Sequence, residues 1–223
     1  MLASQTVENY LKTIYLAQTE LSSTKELVPM GQLASALGVV PGTATTMVKT
    51  LAESGLVRYE PYAGVRLTAS GEKLASLVLR RHRLIELFLV KVLGMSWADV
   101  HDEAEQLEHA VSERLIDRID EMLGRPDVDP HGDPIPTAQG KIARRDHPDL
   151  MTAPLGVPLI VTRVLDQEAS FLRFVEQCGL VPGRAVLIQK RDGAADAVAL
   201  TIDGGAVTTI GARAATKVLV RPA

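Results

Sequence analysis

The sequence has one cysteine, few aromatic residues and no long apolar run. Cys178 alone cannot form a disulfide framework or a cysteine-rich zinc site, and it fits a reducing cytoplasm. Aromatic residues make up 4% of the 223 residues, so the core must be mainly aliphatic. No apolar stretch reaches membrane-spanning length, and MLASQTVENYLK lacks the pattern of a secretory signal. We therefore expect a cytoplasmic protein with no membrane partner.

The chain also lacks an excess of positive charge. Lys and Arg number 24 against 27 Asp and Glu, a formal net charge of -3. Nucleic-acid-binding proteins usually carry a basic excess, so the total charge by itself disfavours that class. Hydrophobic residues at 46% and charged residues at 23% are typical of a globular protein, and the length allows one large domain or two to three small ones.

Helical periodicity dominates the first half of the chain, whereas β-branched runs dominate its end. The pattern predicts a mainly α protein with a small β domain. A proline-rich stretch over 124–158 separates the two parts. The predicted elements before it are an N-terminal helix, a short helix in MGQLASALG, a helix over about 42–53, a hairpin over 56–68 and long helices over 70–93 and 97–123. Five strand-like runs follow, interrupted by a short helix at about 168–178, and this spacing suits a small barrel.

The segment from MGQLASALG to the hairpin has the order of a winged helix-turn-helix. Periodicity places Ala44, Val48 and Leu51 on the core side of its second helix. The opposite face carries hydroxyls and one cation, which suit phosphates and base edges in a DNA major groove. The predicted DNA-binding residues are Thr43, Thr45, Thr46, Lys49 and Thr50 on this helix, with Arg58 and Arg66 on the hairpin. The alternative at this point is an ordinary helical hairpin with solvated polar faces.

Histidines and carboxylates recur at helical spacing in two segments. In VHDEAEQLEH, four of them stand at i, i+4, i+7 and i+8 on one helical face: His101, Glu105, Glu108 and His109. In RRHRLIELF, His82 and Glu86 form another i, i+4 pair. Imidazole and carboxylate ligands suit a borderline divalent ion such as Mn²⁺, Fe²⁺ or Zn²⁺.

The charge of the predicted helix 97–123 favours metal binding over a solvated acidic face with incidental histidines. The helix carries nine acidic residues against only Arg114 and Arg118, and such crowding destabilises a helix unless cations relieve it. The histidines outside the pattern, His131 and His147, are expected at the surface. Trp97 is expected to be a packing residue.

Six motifs resemble the diphtheria toxin repressor / manganese transport regulator family of metal-dependent transcriptional repressors. They are NYLKTIY, VPGTATTMVKTLAESGLV, RRHRLIE, VHDEAEQLEH, HGDPIP and CGLVPG. The resemblance implies a winged helix-turn-helix DNA-binding domain at 1–72, a helical metal-binding and dimerisation domain at 73–140 and a linker at 141–154. An SH3-like (FeoA-like) domain at 155–223 completes the implied chain.

The resemblance also implies two metal sites. One falls on His82, Glu86 and His101, completed by Gln167 or Glu168. The other falls on Glu105, Glu108 and His109 with Asn9 of the first helix, where the family has an Asp or Met. The neighbouring Glu8 points about a third of a turn away from Asn9, so a regular helix keeps it out of the site.

The function implied is that of a Mn(II)-dependent repressor of uptake-transporter genes. We expect a homodimer that binds double-stranded operator DNA, with two ions per subunit and no organic cofactor. Iron-type members place a cysteine where this chain has Glu105, and the harder carboxylate favours manganese. The alternatives are an Fe(II)-dependent repressor of the same family and a winged-helix regulator of a different ligand. A two-metal hydrolase is disfavoured because no nucleophile motif or phosphate-cradling loop accompanies the ligands.

Overall fold

The computed structural model describes residues 4–21, 26–143 and 146–223. Helices α1 to α3 span Gln5–Glu20, Met30–Ala36 and Pro41–Glu53, and strands β1 and β2 span Val57–Glu60 and Gly64–Leu67. Helices α4 to α6 follow at Ala69–Lys91, Val100–Leu107 and Glu113–Met122. The last part contains β3 Pro158–Val164, α7 Ala169–Gln177, β4 Ala185–Asp192, β5 Ala197–Ile202, β6 Val207–Gly211, α8 Ala212–Ala215 and β7 Val218–Pro222. The helices and strands confirm a mainly α protein with a small β domain.

The chain folds as two compact units, and the boundary passes through α4. Unit 1 comprises Met1–His82, Glu108–Ala110 and Pro136–Ile142. Unit 2 comprises Arg83–Leu107, Val111–Ile135 and Ala143–Ala223. None of the helices in the described ranges is long and apolar enough to cross a membrane.

Unit 1 has an aliphatic core between its first three helices and the hairpin. Leu11, Leu33, Val48 and Leu51 are almost fully buried there. Pro41 occupies the first turn of α3, where its fixed φ fits and its missing N–H costs nothing. Val28 forms an isolated antiparallel bridge with Val65 of β2, and Gln18 accepts a hydrogen bond from the Leu67 N–H at 2.8 Å. The bridge holds the segment before α2 against the hairpin, and the hydrogen bond holds α1 there.

Unit 2 has a five-stranded antiparallel sheet in the order β6-β5-β4-β3-β7. Its strands alternate buried and exposed positions, and the buried side packs with α7 and with Trp97 into an aliphatic core. Trp97 is therefore a packing residue, as expected. A second cluster in the same unit joins α4, α5 and α6 through residues such as Leu84, Val100 and Ile116.

The predicted helix over 97–123 is wrong as a single element. The structure breaks it into α5 and α6, with residues 108–110 in turns. Ser112 begins α6 as its N-cap, and its side chain accepts a hydrogen bond from the Leu115 N–H at 3.3 Å. Glu108 and His109 therefore lie in the turn that follows α5.

The proline-rich stretch contains an ordered turn at 128–134. Val128 pairs with Pro134, and the Asp129 Oδ1 accepts hydrogen bonds from the N–H groups of His131 (2.8 Å) and Asp133 (2.9 Å). His131 is 0% exposed, so its expected surface position is wrong. The predicted domain boundaries stay predictions, and residues 144 and 145 of the predicted linker 141–154 lie outside the described part of the chain.

Candidate metal centre and DNA-reading surface

A buried chain of polar contacts in unit 1 connects α1 to the turn after α5. The Glu8 carboxylate lies 2.6 Å from His109 Nδ1 through Oε2 and 2.7 Å from an Arg81 guanidinium nitrogen through Oε1. A carboxylate at Nδ1 accepts its proton and leaves the lone pair on Nε2, the arrangement seen behind metal-ligating histidines. His109 Nε2 lies 3.3 Å from Glu108 Oε1.

Glu108 is the centre of the cluster and is 0% exposed. Its Oε1 accepts a hydrogen bond from the Lys12 ammonium at 2.7 Å, and its Oε2 lies 2.6 Å from His82 Nδ1. Burial by itself raises the pKa of the Glu108 carboxyl, but the hydrogen bonds and charges of His82 and Lys12 outweigh it, so the pKa lies below its ordinary value. Glu108 is therefore held as a carboxylate that already accepts a cation.

The structure changes the predicted roles on α1. Helix α1 is regular from its Ser4 N-cap onward, and Glu8 is buried against His109. Glu8 therefore contacts a predicted ligand, while the prediction that Asn9 and not Glu8 is itself a ligand stays a prediction. The Asn9 Oδ1 is also buried and has no hydrogen-bond partner among the described residues. Sequence reasoning missed Lys12. The signal was present, because Glu8 and Lys12 are an i, i+4 pair on the helix that carries Asn9.

Unit 2 holds the other predicted ligands. Glu86 is 1% exposed, and its Oε1 lies 3.4 Å from His101 Nδ1. His101 Nε2 lies 3.8 Å from an oxygen of Glu105, one turn later on α5. His82 precedes Glu86 by one turn of α4 and is the last residue of α4 that belongs to unit 1. The pairwise helical spacing of the ligand residues is thus present in the structure.

A further histidine and carboxylate, absent from the predicted sites, lie beside Glu86. Oε2 of Glu86 is 3.9 Å from His131 Nδ1, which in turn is 4.0 Å from Asp129 Oδ1. Burial raises the pKa of the Asp129 carboxyl well above its ordinary value, and the charges of Asp133 and Glu86 raise it further. Helical spacing gave no signal for this group, because residues 129–131 lie in a loop.

Gln167 and Glu168 serve other partners in the structure. Gln167 donates a hydrogen bond to Asp133 Oδ2 at 2.5 Å. Glu168 is exposed and begins α7 as its N-cap, where it accepts hydrogen bonds from the N–H groups of Ser170 (3.1 Å) and Phe171 (3.2 Å). Their role as metal ligands stays a prediction.

The outer face of α3 is polar and accessible. Ala44, Val48 and Leu51 are buried on the other face, as the periodicity predicts. The predicted contacts Thr43, Thr46, Lys49 and Thr50 are exposed, whereas Thr45 is half-buried. The hydroxyls of Thr45, Thr46 and Thr50 donate to carbonyl oxygens one turn earlier, at 2.8, 3.0 and 3.3 Å.

The hairpin places its two arginines directly opposite each other. Arg58 of β1 pairs with Arg66 of β2 in an antiparallel register, and Tyr62 at the tip is fully exposed with a φ of 65°. Like charges opposite each other destabilise a strand pair. The pair therefore does not stabilise the hairpin itself, and it places two cations side by side on the hairpin, which is the wing of the predicted winged helix-turn-helix.

Comparison with known families divides the chain into three matched segments. Residues 2–65 match the family described as the iron dependent repressor, N-terminal DNA binding domain. Residues 68–137 match the iron dependent repressor, metal binding and dimerisation domain. Residues 149–222 match the FeoA domain.

Similar individual proteins include both iron- and manganese-dependent regulators. The iron-dependent repressor IdeR of Mycobacterium tuberculosis is 31% identical over 201 residues, covering 84% of this chain and 85% of that protein. The HTH-type transcriptional regulator MntR of Lysinibacillus sphaericus is 35% identical over 117 residues, covering 52% of this chain and 81% of that protein. A solved manganese-dependent transcriptional repressor in complex with manganese aligns with a TM-score of 0.88 at 40% identity, over 97% of this chain and 100% of that one.

Proposed function

The chain belongs to the diphtheria toxin repressor / manganese transport regulator family of metal-dependent transcriptional repressors, and from this premise we propose a Mn(II)-dependent, DNA-binding repressor. It controls metal-ion homeostasis, with uptake-transporter genes as its targets. The family consists of DNA-binding regulators, so the chain is not an enzyme. The observation that carries the proposal is the buried Glu8–His109 and Glu108 cluster, which joins α1 to the turn after α5.

The residues of this cluster fit a divalent cation. Glu108 already accepts a hydrogen bond from a cation, the ammonium of Lys12. Glu8 directs the lone pair of His109 Nε2 towards Glu108, and the Asn9 Oδ1 is a buried oxygen without a hydrogen-bond partner among the described residues. We assign Glu108, His109, Glu105 and Asn9 as ligands, with Glu8 as the residue that orients His109.

The second proposed site uses His82, Glu86 and His101. His82 and Glu86 lie one turn apart on α4, and the Glu86 Oε1 lies 3.4 Å from His101 Nδ1. Gln167 or Glu168 is the proposed additional ligand. We propose two ions per subunit, one for each of the two ligand sets, and no organic cofactor.

The proposed switch depends on the position of α1 within unit 1. Helix α1 packs on the wing through Gln18 and carries Glu8, Asn9 and Lys12 on the side of the ligands. A bound divalent ion supplies two positive charges, which hold the ligands of α1 and of the turn after α5 together. In a dimer the two copies of α3, the predicted DNA-binding helix, must be spaced by about one turn of DNA, roughly 34 Å. An α1 that is held in one position favours one such spacing. To shift the ratio of the DNA-binding conformation to the inactive one from 1:99 to 99:1, the ions must bind the DNA-binding conformation more tightly by about 5.5 kcal/mol.

The dimer is proposed from the matched dimerisation domain and from exposed apolar side chains. Val92, Leu93, Leu115 and Met122 of unit 2 are each between 48% and 59% exposed. Large exposed apolar side chains favour association. Sedimentation equilibrium of Leu115→Glu beside the unchanged protein tests this: we expect a monomer, and an unchanged dimer would contradict the assignment.

Operator binding across a series of divalent metals at fixed free concentration tests the function. We expect Mn²⁺ to stimulate binding most, and Glu105→Ala or His109→Ala to abolish the stimulation. The exposed Glu103→Ala and the half-buried His147→Ala are matched controls that keep it. In Glu105→Cys we expect Fe²⁺ or Co²⁺ to stimulate operator binding more strongly relative to Mn²⁺ than in the unchanged protein. An unchanged order of the metals would contradict the choice of manganese.

The second candidate is an Fe(II)-dependent repressor, favoured by the similarity to IdeR over 84% of the chain. Stimulation by Fe²⁺ above Mn²⁺ in the same series identifies it. The third candidate is a winged-helix regulator that senses a different ligand. Calorimetric titration of the metal-free protein with metal supports this candidate if no stoichiometric metal binding is found. The cytoplasmic location stays a prediction.

A further inference from the structure

We propose that Tyr62, at the tip of the hairpin, contacts the minor groove of DNA beside the sequence bound by α3 and selects A·T pairs there. The inference rests on the proposed DNA-binding function and adds a residue and a second groove to it. Tyr62 is 108% exposed, against 38–68% for the other exposed large hydrophobic residues of the described ranges. A single exposed apolar side chain is common on protein surfaces, so exposure alone assigns no role. The backbone at Tyr62 supplies a second observation.

Tyr62 occupies a turn position that is suited to glycine or asparagine. The Ala63 N–H donates to the Glu60 carbonyl oxygen at 3.1 Å, Pro61 is the second residue of this turn, and Tyr62, the third, has a φ of 65°. These are features of a type II turn, whose third residue needs a positive φ and is ordinarily Gly or Asn. A bulky side chain makes this conformation unfavourable. The turn therefore holds a strained residue whose side chain packs on nothing in the fold.

The base of the hairpin is held in place, so the position of its tip in unit 1 is fixed. Val28 and Val65 exchange two backbone hydrogen bonds of 2.8 and 3.0 Å, which add a third segment beside the two strands. The Leu56 N–H donates to the Leu51 carbonyl oxygen at 3.0 Å and joins the end of α3 to the start of β1. The tip is therefore presented at a set position relative to α3.

The hairpin has the length to reach the groove next to the one that α3 is proposed to occupy. Each strand has four residues, which span about 13 Å at roughly 3.3 Å per residue, whereas the major groove is about 12 Å wide. Arg58 and Arg66 supply cations along the strands, but the exposed Glu60 adds none at the tip. The contact made by the tip therefore depends on the uncharged ring of Tyr62 and its hydroxyl.

A tyrosine in the minor groove distinguishes A·T pairs from G·C pairs. An A·T pair presents only acceptors there, adenine N3 and thymine O2, and these suit the phenolic O–H donor. A G·C pair adds the guanine N2 amino group, which is a donor and occupies the floor of the groove. We therefore expect A·T pairs where Tyr62 of each subunit lies, at positions that α3 does not contact.

The test uses a duplex selected from a random-sequence pool by the unchanged protein in Mn²⁺. The base pairs on either side of the selected sequence are then made A·T, G·C or inosine·C, because inosine lacks the N2 amino group but matches guanine in the major groove. For the unchanged protein we expect the A·T and inosine·C duplexes to bind alike and the G·C duplex to bind about 10-fold more weakly. For Tyr62→Ala we expect the three duplexes to bind alike. Equal binding of the G·C and inosine·C duplexes to the unchanged protein would overturn the minor-groove contact.

Tyr62→Asn separates a DNA contact from a structural role. Asn tolerates a positive φ, so we expect a higher Tm, whereas binding of the A·T duplex should weaken about 10-fold with an unchanged salt slope, because no charge is lost. Arg125→Asn is the control, because Arg125 is exposed with a φ of 55° outside the hairpin. It should also raise the Tm but keep the preference for A·T over G·C. A lower Tm in Tyr62→Asn with an unchanged preference would mean that Tyr62 supports the fold, and would overturn the proposal.

Failure of the proposed function gives a different result from failure of this contact. If the unchanged protein enriches no duplex in any divalent metal, both the proposed function and the contact are overturned. If Mn²⁺ stimulates binding but Tyr62→Ala keeps the same preference for A·T over G·C as the unchanged protein, only the tyrosine contact is overturned.

Discussion

The ammonium of Lys12 lies 2.7 Å from Glu108 Oε1, and both side chains are buried at 7% and 0% exposure. Lys12 thus compensates the charge of a carboxylate that we assign as a metal ligand. We expect the proposed ion to weaken this contact, because it adds positive charge at the same carboxylate, so metal binding and the Lys12 contact compete. The position of a lysine on α1 therefore sets how strongly the metal-free state is stabilised.

Lys12→Met tests this competition. Removal of one partner of a buried ion pair costs about 3–5 kcal/mol, and His82 reduces that cost because it also contacts Glu108. We expect a lower Tm in the metal-free protein and a larger rise of Tm on addition of Mn²⁺ than in the unchanged chain. Thermal unfolding with and without Mn²⁺ measures both. Lys73→Met, on the exposed face of α4, is the control, and equal metal-induced shifts in the two variants would exclude competition.

Glu8→Gln tests the orienting role of Glu8 on His109. The amide oxygen still accepts from Nδ1, but the negative charge that lies beside His109 and pairs with Arg81 is lost. Loss of such a partner typically weakens metal binding 10- to 100-fold, so we expect a Mn²⁺ Kd raised by about that factor. Calorimetric titration measures it, with the exposed Glu72→Gln as control. A Kd unchanged in Glu8→Gln would mean that His109 is oriented without Glu8.

Arg58→Ala and Arg66→Ala test the wing. If each arginine contacts a phosphate, its removal weakens operator binding and reduces the slope of log K against log salt by about 0.9. The folded state should be unchanged or more stable by about 0.2–1 kcal/mol, because a like-charge pair across the strands is removed. Binding assays at several salt concentrations measure the effect on DNA binding, and thermal unfolding measures the effect on stability. Lys190→Ala in β4 is the control. If the slope of log K against log salt is unchanged in the arginine variants, the two arginines do not contact DNA phosphates.

Gly132→Ala tests the turn that carries Asp129 and His131. Gly132 has a φ of +89°, and a Cβ there would overlap the carbonyl oxygen of Thr162 and approach the Arg163 Cα to 2.7 Å. We expect a loss of at least about 2 kcal/mol in the free energy of unfolding, from backbone strain together with this overlap. Gly156→Ala is the matched control, because Gly156 has a φ of +66° but open space around it. Denaturant unfolding measures both, and equal losses would mean that only the backbone angle matters.

The winged helix-turn-helix and most of the spacing of the predicted metal ligands could be predicted from the sequence, because both depend on residues close to one another in the chain. The buried face of α3 with Ala44, Val48 and Leu51 follows from a period of 3.6 residues, and the i, i+4 pair of His82 and Glu86 follows from the same period. The break between α5 and α6 was missed. Ser112 is a good N-cap, but one capping residue competes with continuous helical periodicity, and only the fold decides which prevails.

The sequence by itself determined the order of the elements, the family and the helical faces that carry histidine and carboxylate, because these depend on neighbours within two turns. Only the tertiary structure decided that Glu8 reaches His109, that Lys12 neutralises Glu108 and that His131 is buried beside Glu86. The first two contacts join residues 101 and 96 positions apart, and the third involves a loop without a period. The net charge of -3 gave no sign of them, because a buried charge is governed by its nearest partners and not by the total of the chain.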